Sequence, residues 1–415
     1  MYSKKTKTQK MKIKTILTIT FLSVQVIIFG QTATDALTIE LETLVKNNSI
    51  QGFGVAIYSK DSVLYKNGFG YANVEHKTPY TSQTVQKIAS ISKLLLGTSL
   101  MKAQEMELFN LDDDVNDYLP FKLRNPEFPN QMITIRHLAT HTSGLNKLPE
   151  YDLKSLYFPT PIAKITNELP FGLRKTVLNK LSKKINKNQD IPLNIFLENL
   201  YDPKGIWYSK SHFEKYRPGE KEVYSNAGAS LLALIVEKAS NISYSKFIQK
   251  YILTELNMND SGFDFNMNTY QKDKKSSLYH AGIEVPNDYK LILYPAGGFE
   301  TNVDDFSIFM QHMASGYNIN NNNNGISILK KSSFDEMLKV QINPDFNHGI
   351  LWEVYPSSTV GHEGDIVGVL TYAYYNKQLD RGYVLFCNTS TTKTIYKDTD
   401  AIMETLKSYY GKLAL

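Results

Sequence analysis

Cysteine occurs once in 415 residues, as Cys387 in the apolar run "GYVLFCNTS". A single thiol cannot close an internal disulfide, and these apolar surroundings predict a buried thiol rather than a nucleophile. Long hydrophobic runs are scarce as well. The run "ILTITFLSVQVIIFG" at 16–30 is shorter than the roughly 20 residues that a membrane span requires. It follows the basic stretch "MYSKKTKTQKMKIK", and Gly30 precedes the polar "QTATD". The pattern predicts an export signal over 1–30, cleaved near Gly30 or Gln31, and hence a periplasmic or secreted protein. Since no clean A-x-A site is present, an uncleaved anchor is the other reading. No cysteine lies nearby, which excludes a lipid anchor made through one.

Surplus positive charge is the third absence. The formal net charge of +5 depends on residues 1–30, which hold six lysines and no acid, so without them it becomes −1. No electrostatic footprint for nucleic acid remains. Linkers and internal repeats are missing too, and residues 31–415 are expected to form one domain.

What is present is globular composition, 42% hydrophobic and 12% aromatic. Residues 34–47 carry apolar side chains at helical spacing. "GFGVAIYSK" and "SVLYKNGFGYANV" read as two strands of a hairpin around Lys60 and Asp61. The far end turns to strands again in "ILWEVY", "DIVGVLTYAYYN" and "GYVLFCNTS", followed by a helix near 396–409. Between these ends the patterns are mainly helical, including "PLNIFLENLY", "GLRKTVLNKLSKKI" and a helix from about Ala227, with a low-complexity loop at "YNINNNNNG". The expectation is an α/β protein in which both chain ends share an antiparallel sheet flanked by helices, while the middle builds a helical lobe with the active site between.

The stretch "QKIASISKLLLGTSLMKAQEMELF" places Ser90 and Lys93 three apart. The spacing alone says little, because Ser99, Ser243, Ser327 and Ser390 are also followed by Lys at that distance. Ser90 differs by position. It follows a polar approach and opens an apolar helix, where unpaired backbone N–H groups and the helix dipole favour developing negative charge. Lys93 lies one turn on and serves as a base only if desolvation lowers its pKa. Tyr224 and Asn226 in "VYSNAGAS" stand at the mouth of another apolar helix, whereas Tyr71 with Asn73 and Tyr374 with Asn376 share the spacing inside strand-like runs. His362 and Gly364 in "GHEGDIVGVLTYAYY" head a strand; His280 and Gly282 match them with no strand to follow.

These elements, with "ITIRHLATHTSGL" and "YPAGGFETNVDDFSIFM" in this order, resemble the serine β-lactamase and penicillin-binding protein superfamily. The closer likeness is to the branch of class C β-lactamases, D-alanyl-D-alanine carboxypeptidases, D-aminopeptidases and esterases. Ser-x-x-Lys is the superfamily's nucleophile motif. The resemblance implies a β-lactamase/transpeptidase-like fold and a serine hydrolase working through an acyl-enzyme on a small-molecule or peptide acyl donor. Ser90 would be the nucleophile, with Lys93 and Tyr224 sharing the proton work. Asn226, His362 and Gly364 would bind substrate, and the backbone N–H of Asp365 would pair with that of Ser90 as an oxyanion hole. No cofactor or metal is implied. The other class of reading is a binding or sensor protein that is acylated once without turnover.

Two departures matter. The third motif of this branch is often His-x-Gly, but β-lactamases and most carboxypeptidases carry Lys where this chain has His362, which tilts the expectation from a true β-lactamase toward a peptidase or esterase. His362 is expected to sit part-solvated and to titrate near its ordinary pKa of about 6.5, so that it holds a substrate carboxylate weakly at neutral pH. The second departure is an insertion over 146–217, placed where the family varies its pocket wall. His137 and His141, four apart, have a zinc-like spacing but lack the glutamate and third ligand of a metalloprotease. Their expected role is structural.

Overall fold

The computed structural model describes residues 32–47, 49–159, 183–263, 268–280, 282–318, 327–390 and 393–413. The predicted export signal, most of "GLRKTVLNKLSKKI" and most of the asparagine run lie outside them.

Strand β1 (Gly52–Tyr58) is buried along its whole length, and a bend at 59–62 returns the chain into β2 (Val63–Asn73) and the short β3 (Thr78–Pro79). The other half of the sheet comes from the far end of the chain: β4 (Glu353–Val354), β5 (Thr359–Ile366), β6 (Val369–Asn376) and β7 (Arg381–Cys387). The order is β4-β5-β6-β7-β1-β2-β3, antiparallel throughout, with Val55 opposite Leu385 where the two chain ends meet. Alternation along β1 divides its side chains between two cores. Phe53, Val55 and Ile57 pack with Leu37 and Leu41 of helix α1 (32–47) and with Ile402 and Leu406 of the C-terminal helix (Lys393–Ser408). Ala56 and Tyr58 face the helical lobe. Cys387 is buried at the end of β7.

The lobe is built around α2 (Ser92–Glu105). Eleven of its residues are buried, so it is not an amphipathic surface helix but a rod enclosed on nearly all sides. Against it packs the helix Asn226–Ser240, while the helix Val303–Asn318 lies mainly on the sheet, where its Phe306 meets Phe386, and reaches α2 through Met313, which accepts from Thr98 Oγ1 at 3.7 Å. The predicted "PLNIFLENLY" helix forms over Leu193–Tyr201.

Two boundaries differ from expectation. The apolar continuity of "DIVGVLTYAYYN" hid a turn: Ile366 pairs with Val369 across Val367 and Gly368, and Gly368 has φ +81, which glycine adopts without steric cost. Residues 362–365 therefore lie inside β5 rather than at the head of a strand. "ILWEVY" forms only the two-residue β4. Among the described residues no helix is long and apolar enough to cross a membrane.

Candidate active site

Ser90 occupies a single 3-10 turn, Ala89–Ile91, and α2 begins two residues later, at Ser92. Ala89 sits in the left-handed region with φ 49, a conformation costing a non-glycine residue on the order of 1 kcal/mol. The bend is held from three sides. The Ile88 N–H donates to the Phe299 carbonyl at 3.0 Å, the Ile88 carbonyl accepts from Thr371 Oγ1 at 2.8 Å, and Ser92 Oγ donates to the Ala89 carbonyl at 2.6 Å. Tertiary contacts thus turn Ser90 out of the helix that its sequence pattern suggested it would open.

Lys93 lies in the first turn of α2 with no exposed surface. Its ammonium donates to Ser90 Oγ at 3.1 Å, Asn226 Oδ1 at 2.9 Å and the Ala296 carbonyl at 2.7 Å. All three acceptors are uncharged. Burial consequently pulls the Lys93 pKa down to about 7, against an opposing pull from Asp152. From the other side the Tyr224 phenol donates to Ser90 Oγ at 2.8 Å. Burial raises its pKa, so the phenol stays protonated where Lys93 titrates. Tyr224 and Asn226 straddle Ser225, which caps the helix Asn226–Ser240 by accepting from the Gly228 N–H.

Strand β5 closes the site. A Cβ on Gly364 would come within 2.8 Å of the Ser90 nitrogen and 2.5 Å of Thr371 Oγ1, so only glycine lets this strand lie against the nucleophile's backbone. Asp365 and Ser90 line one cleft of about 450 Å³, with Asn226, Ala296 and the wall residues Asp152 and Leu156.

His362 departs from expectation. It is 3% exposed, its ring faces Tyr224 with centroids 6.2 Å apart, and it is not among the cleft-lining residues. Burial first, and the Lys93 charge second, lower its pKa to about 3. A part-solvated imidazole titrating near 6.5 is therefore ruled out by its place in the core. Nδ1 lies 2.5 Å from the Glu363 carbonyl, which only an Nδ1–H can satisfy, leaving the neutral ring with Nε2 as an acceptor.

His137 and His141 do not share a helix face, because their helix ends at Ala139 and His141 takes φ 55. His137 closes a capping box with Thr134. His141 packs on the Tyr224 ring at 4.6 Å and contacts His348, whose Nδ1 pairs with Glu222 Oε1 at 2.9 Å. Among the described residues no group of three or more His, Cys, Asp or Glu could hold a metal.

The repeated spacings elsewhere find ordinary partners. Ser99 bonds back to the Leu95 carbonyl, Ser243 caps a short helix, and His280 meets Ser390 at 2.9 Å. The residues that sequence reasoning missed are Asp152, the Ala296 carbonyl, and the pair His348 and Glu222. A backbone carbonyl carries no sequence signal. Asp152 is one acid among 41 Asp and Glu; only its placement beside Asn226, which donates to Oδ1 at 3.3 Å, distinguishes it.

A family model described as "Beta-lactamase" matches residues 40–407. The chain belongs to the β-lactamase family. Penicillin-binding protein 4* of Bacillus subtilis (strain 168) is 33% identical over 220 residues, covering 53% of this chain and 39% of that protein. The human mitochondrial serine beta-lactamase-like protein LACTB is 27% identical over 343 residues, covering 74% of this chain and 59% of that protein. The matches thus span about half the length of these relatives. Two solved structures share the fold: the octameric penicillin-binding protein homologue from Pyrococcus abyssi and a class C beta-lactamase. Their TM-scores are both 0.63, with 24% and 18% identity, over 90% and 91% of this chain and 77% and 96% of theirs. The expected α/β architecture is that of this family.

Proposed function

We propose that this β-lactamase-family chain is an exported serine hydrolase that cleaves amide or ester bonds through an acyl-enzyme on Ser90. The observation that carries the reading is the convergence of Lys93 and Tyr224 on one hydroxyl, at 3.1 and 2.8 Å, with their pKa values moved in opposite directions by burial. Oppositely displaced pKa values separate base from acid. Neutral Lys93 takes the Ser90 proton as Oγ bonds to the carbonyl carbon and the π pair moves onto oxygen. The N–H groups of Ser90 and Asp365 stabilise that oxyanion, an assignment supported by the close seating of Gly364 on the Ser90 backbone. Tyr224 then gives its phenolic proton to the leaving nitrogen or oxygen as that bond breaks, and the charged Lys93 reprotonates Tyr224. Water releases the acyl group by the same steps in reverse. Asn226, bonded to both Lys93 and Asp152, holds the amine in place and presents its amide to the substrate. His362 acts through Tyr224 as packing rather than as a carboxylate anchor.

The acyl donor is read as a peptide amide or an ester rather than a β-lactam, since His362 offers no fixed positive charge for the β-lactam carboxylate; a D,D-peptide that ends in a free carboxylate would lack the same anchor. Export rests on the basic and apolar composition of residues 1–30. A fluorophosphonate probe should label Ser90 on the purified protein, and Ser90→Ala should lose both labelling and hydrolysis. Labelling that persists in Ser90→Ala overturns the nucleophile. The names of penicillin-binding relatives keep a second reading in play, a protein acylated once without turnover. Labelled penicillin retained on Ser90 for hours, with no hydrolysis of any amide or ester, would select it.

A further inference from the structure

The wall of the catalytic cleft is apolar over much of its extent, through Leu153, Leu156, Leu291, Leu293 and Ile366. Of the polar wall groups, Asn226 spends its oxygen on Lys93 and one N–H on Asp152, leaving its second N–H for substrate, and the Ser155 hydroxyl donates to the Asp152 carbonyl at 2.7 Å. The charges on the wall are Asp152 and Asp365. Asp152 uses Oδ1 for the Asn226 amide, and among the described residues no Lys or Arg forms an ion pair with it. Asp365 accepts from Tyr396 through Oδ2 and has its other oxygen remaining. Among the described residues no lysine, arginine or histidine lines the cleft. The Lys93 ammonium ends on its three uncharged acceptors, and Lys147 lines a small adjoining cleft with Asp152; both act on the Asp152 charge without touching it.

Resting on the serine-hydrolase reading, we propose that Asp152 is a specificity-determining residue that selects acyl donors with an apolar body and an ammonium group, and rejects those with a carboxylate. A partly buried carboxylate with no cation in contact attracts an ammonium that completes its hydrogen bonding, and it repels a second carboxylate held in the same low-dielectric space. Discrimination of this kind uses both an attractive and a repulsive element. Asp365, across the cleft, adds to the same sign of field.

The test uses three p-nitrophenyl alkylphosphonates of equal length whose tails end in an ammonium, a methyl or a carboxylate. Ser90 Oγ displaces p-nitrophenolate in each, so the released chromophore reports the second-order rate of labelling. The expected order is ammonium, then methyl, then carboxylate, with about tenfold or more between the extremes. Asp152→Asn should collapse that ratio toward one, and Asp152→Glu should retain it. The wild-type order tests the idea even where a variant fails to fold. Equal rates for the three tails, a faster carboxylate tail, or an unchanged ratio in folded Asp152→Asn overturns the assignment while leaving the hydrolase reading intact. No labelling of Ser90 by any tail overturns both.

Discussion

Lys87 and Lys93 lie six residues apart, are both buried, and end in opposite surroundings. Lys87 stands on the short strand Gln86–Lys87, directly opposite Glu300, and its ammonium meets Glu300 Oε1 at 2.7 Å, while Lys275 takes Oε2 at 2.6 Å. Lys93 meets a hydroxyl, an amide oxygen and a backbone carbonyl. A buried charge persists when a counter-charge offsets its desolvation, and is shed when the partners are neutral dipoles. Burial alone therefore does not make a base. What makes Lys93 available for chemistry is that, among the described residues, no carboxylate reaches its ammonium, the charge effect on it coming from Asp152 across the Asn226 amide.

Breaking the Lys93 side of this comparison should have the largest effect. Lys93→Met is expected to slow Ser90 acylation by about 10² to 10⁴, the range for removing a positioned general base. Thermal stability should hold or rise, because a desolvated amine is replaced by an apolar chain. Labelling rates and melting curves on one preparation check both halves; a slow variant with a collapsed melting temperature would assign Lys93 a structural role instead.

Lys87→Met should do the reverse. It removes one partner of a buried pair, so a loss of about 3 kcal/mol of stability is expected, at the low end of the range because Lys275 still holds Glu300. Denaturant titration measures this loss, and the labelling rate per folded molecule should stay within a few-fold of the parent.

The pH dependence sharpens the contrast. Only neutral Lys93 accepts the proton, so acylation should rise about tenfold per pH unit below 7 and level off above the Lys93 pKa of about 7. The stability sign follows from the same depression. Below about pH 7 the lysine is protonated in both folded and unfolded chains. Between that point and its unfolded value near 10.4 the unfolded chain binds the extra proton, so stability climbs with pH across this window. An acylation rate still rising steadily from pH 8 to 9 would mean that Lys93 keeps its proton and that another group is the base.

The smallest expected effect concerns His362. His362→Lys would bring a second amine into the buried region beside Lys93, lowering the Lys93 pKa further, so that the acylation plateau should begin at a lower pH for every substrate. No selective gain for carboxylate-bearing substrates such as cephalosporins is expected. A gain confined to them would return His362 to the cleft wall.

Much of this protein was legible in order along the chain. Short apolar runs bounded by turn residues near both termini identified the strands, and longer stretches at helical spacing identified the helices between them, because these patterns are local properties of the chain. The ordered set of Ser90 with Lys93, Tyr224 with Asn226, and His362 with Gly364 pointed to the family and, His362 excepted, to the residues gathered around Ser90. Tertiary structure alone decided the rest. Whether Ser90 opens a helix or precedes it depends on Thr371 and Phe299, remote in sequence. Whether His362 is a solvated cation or a buried neutral ring depends on what covers it. Asp152 became a pocket residue through its seat beside Asn226, and Ala296 became a lysine acceptor through a backbone atom that every residue possesses. Sequence specifies which side chains exist and how nearby ones share a face; burial, charge state and partner come from chain segments hundreds of residues away, and those set the chemistry.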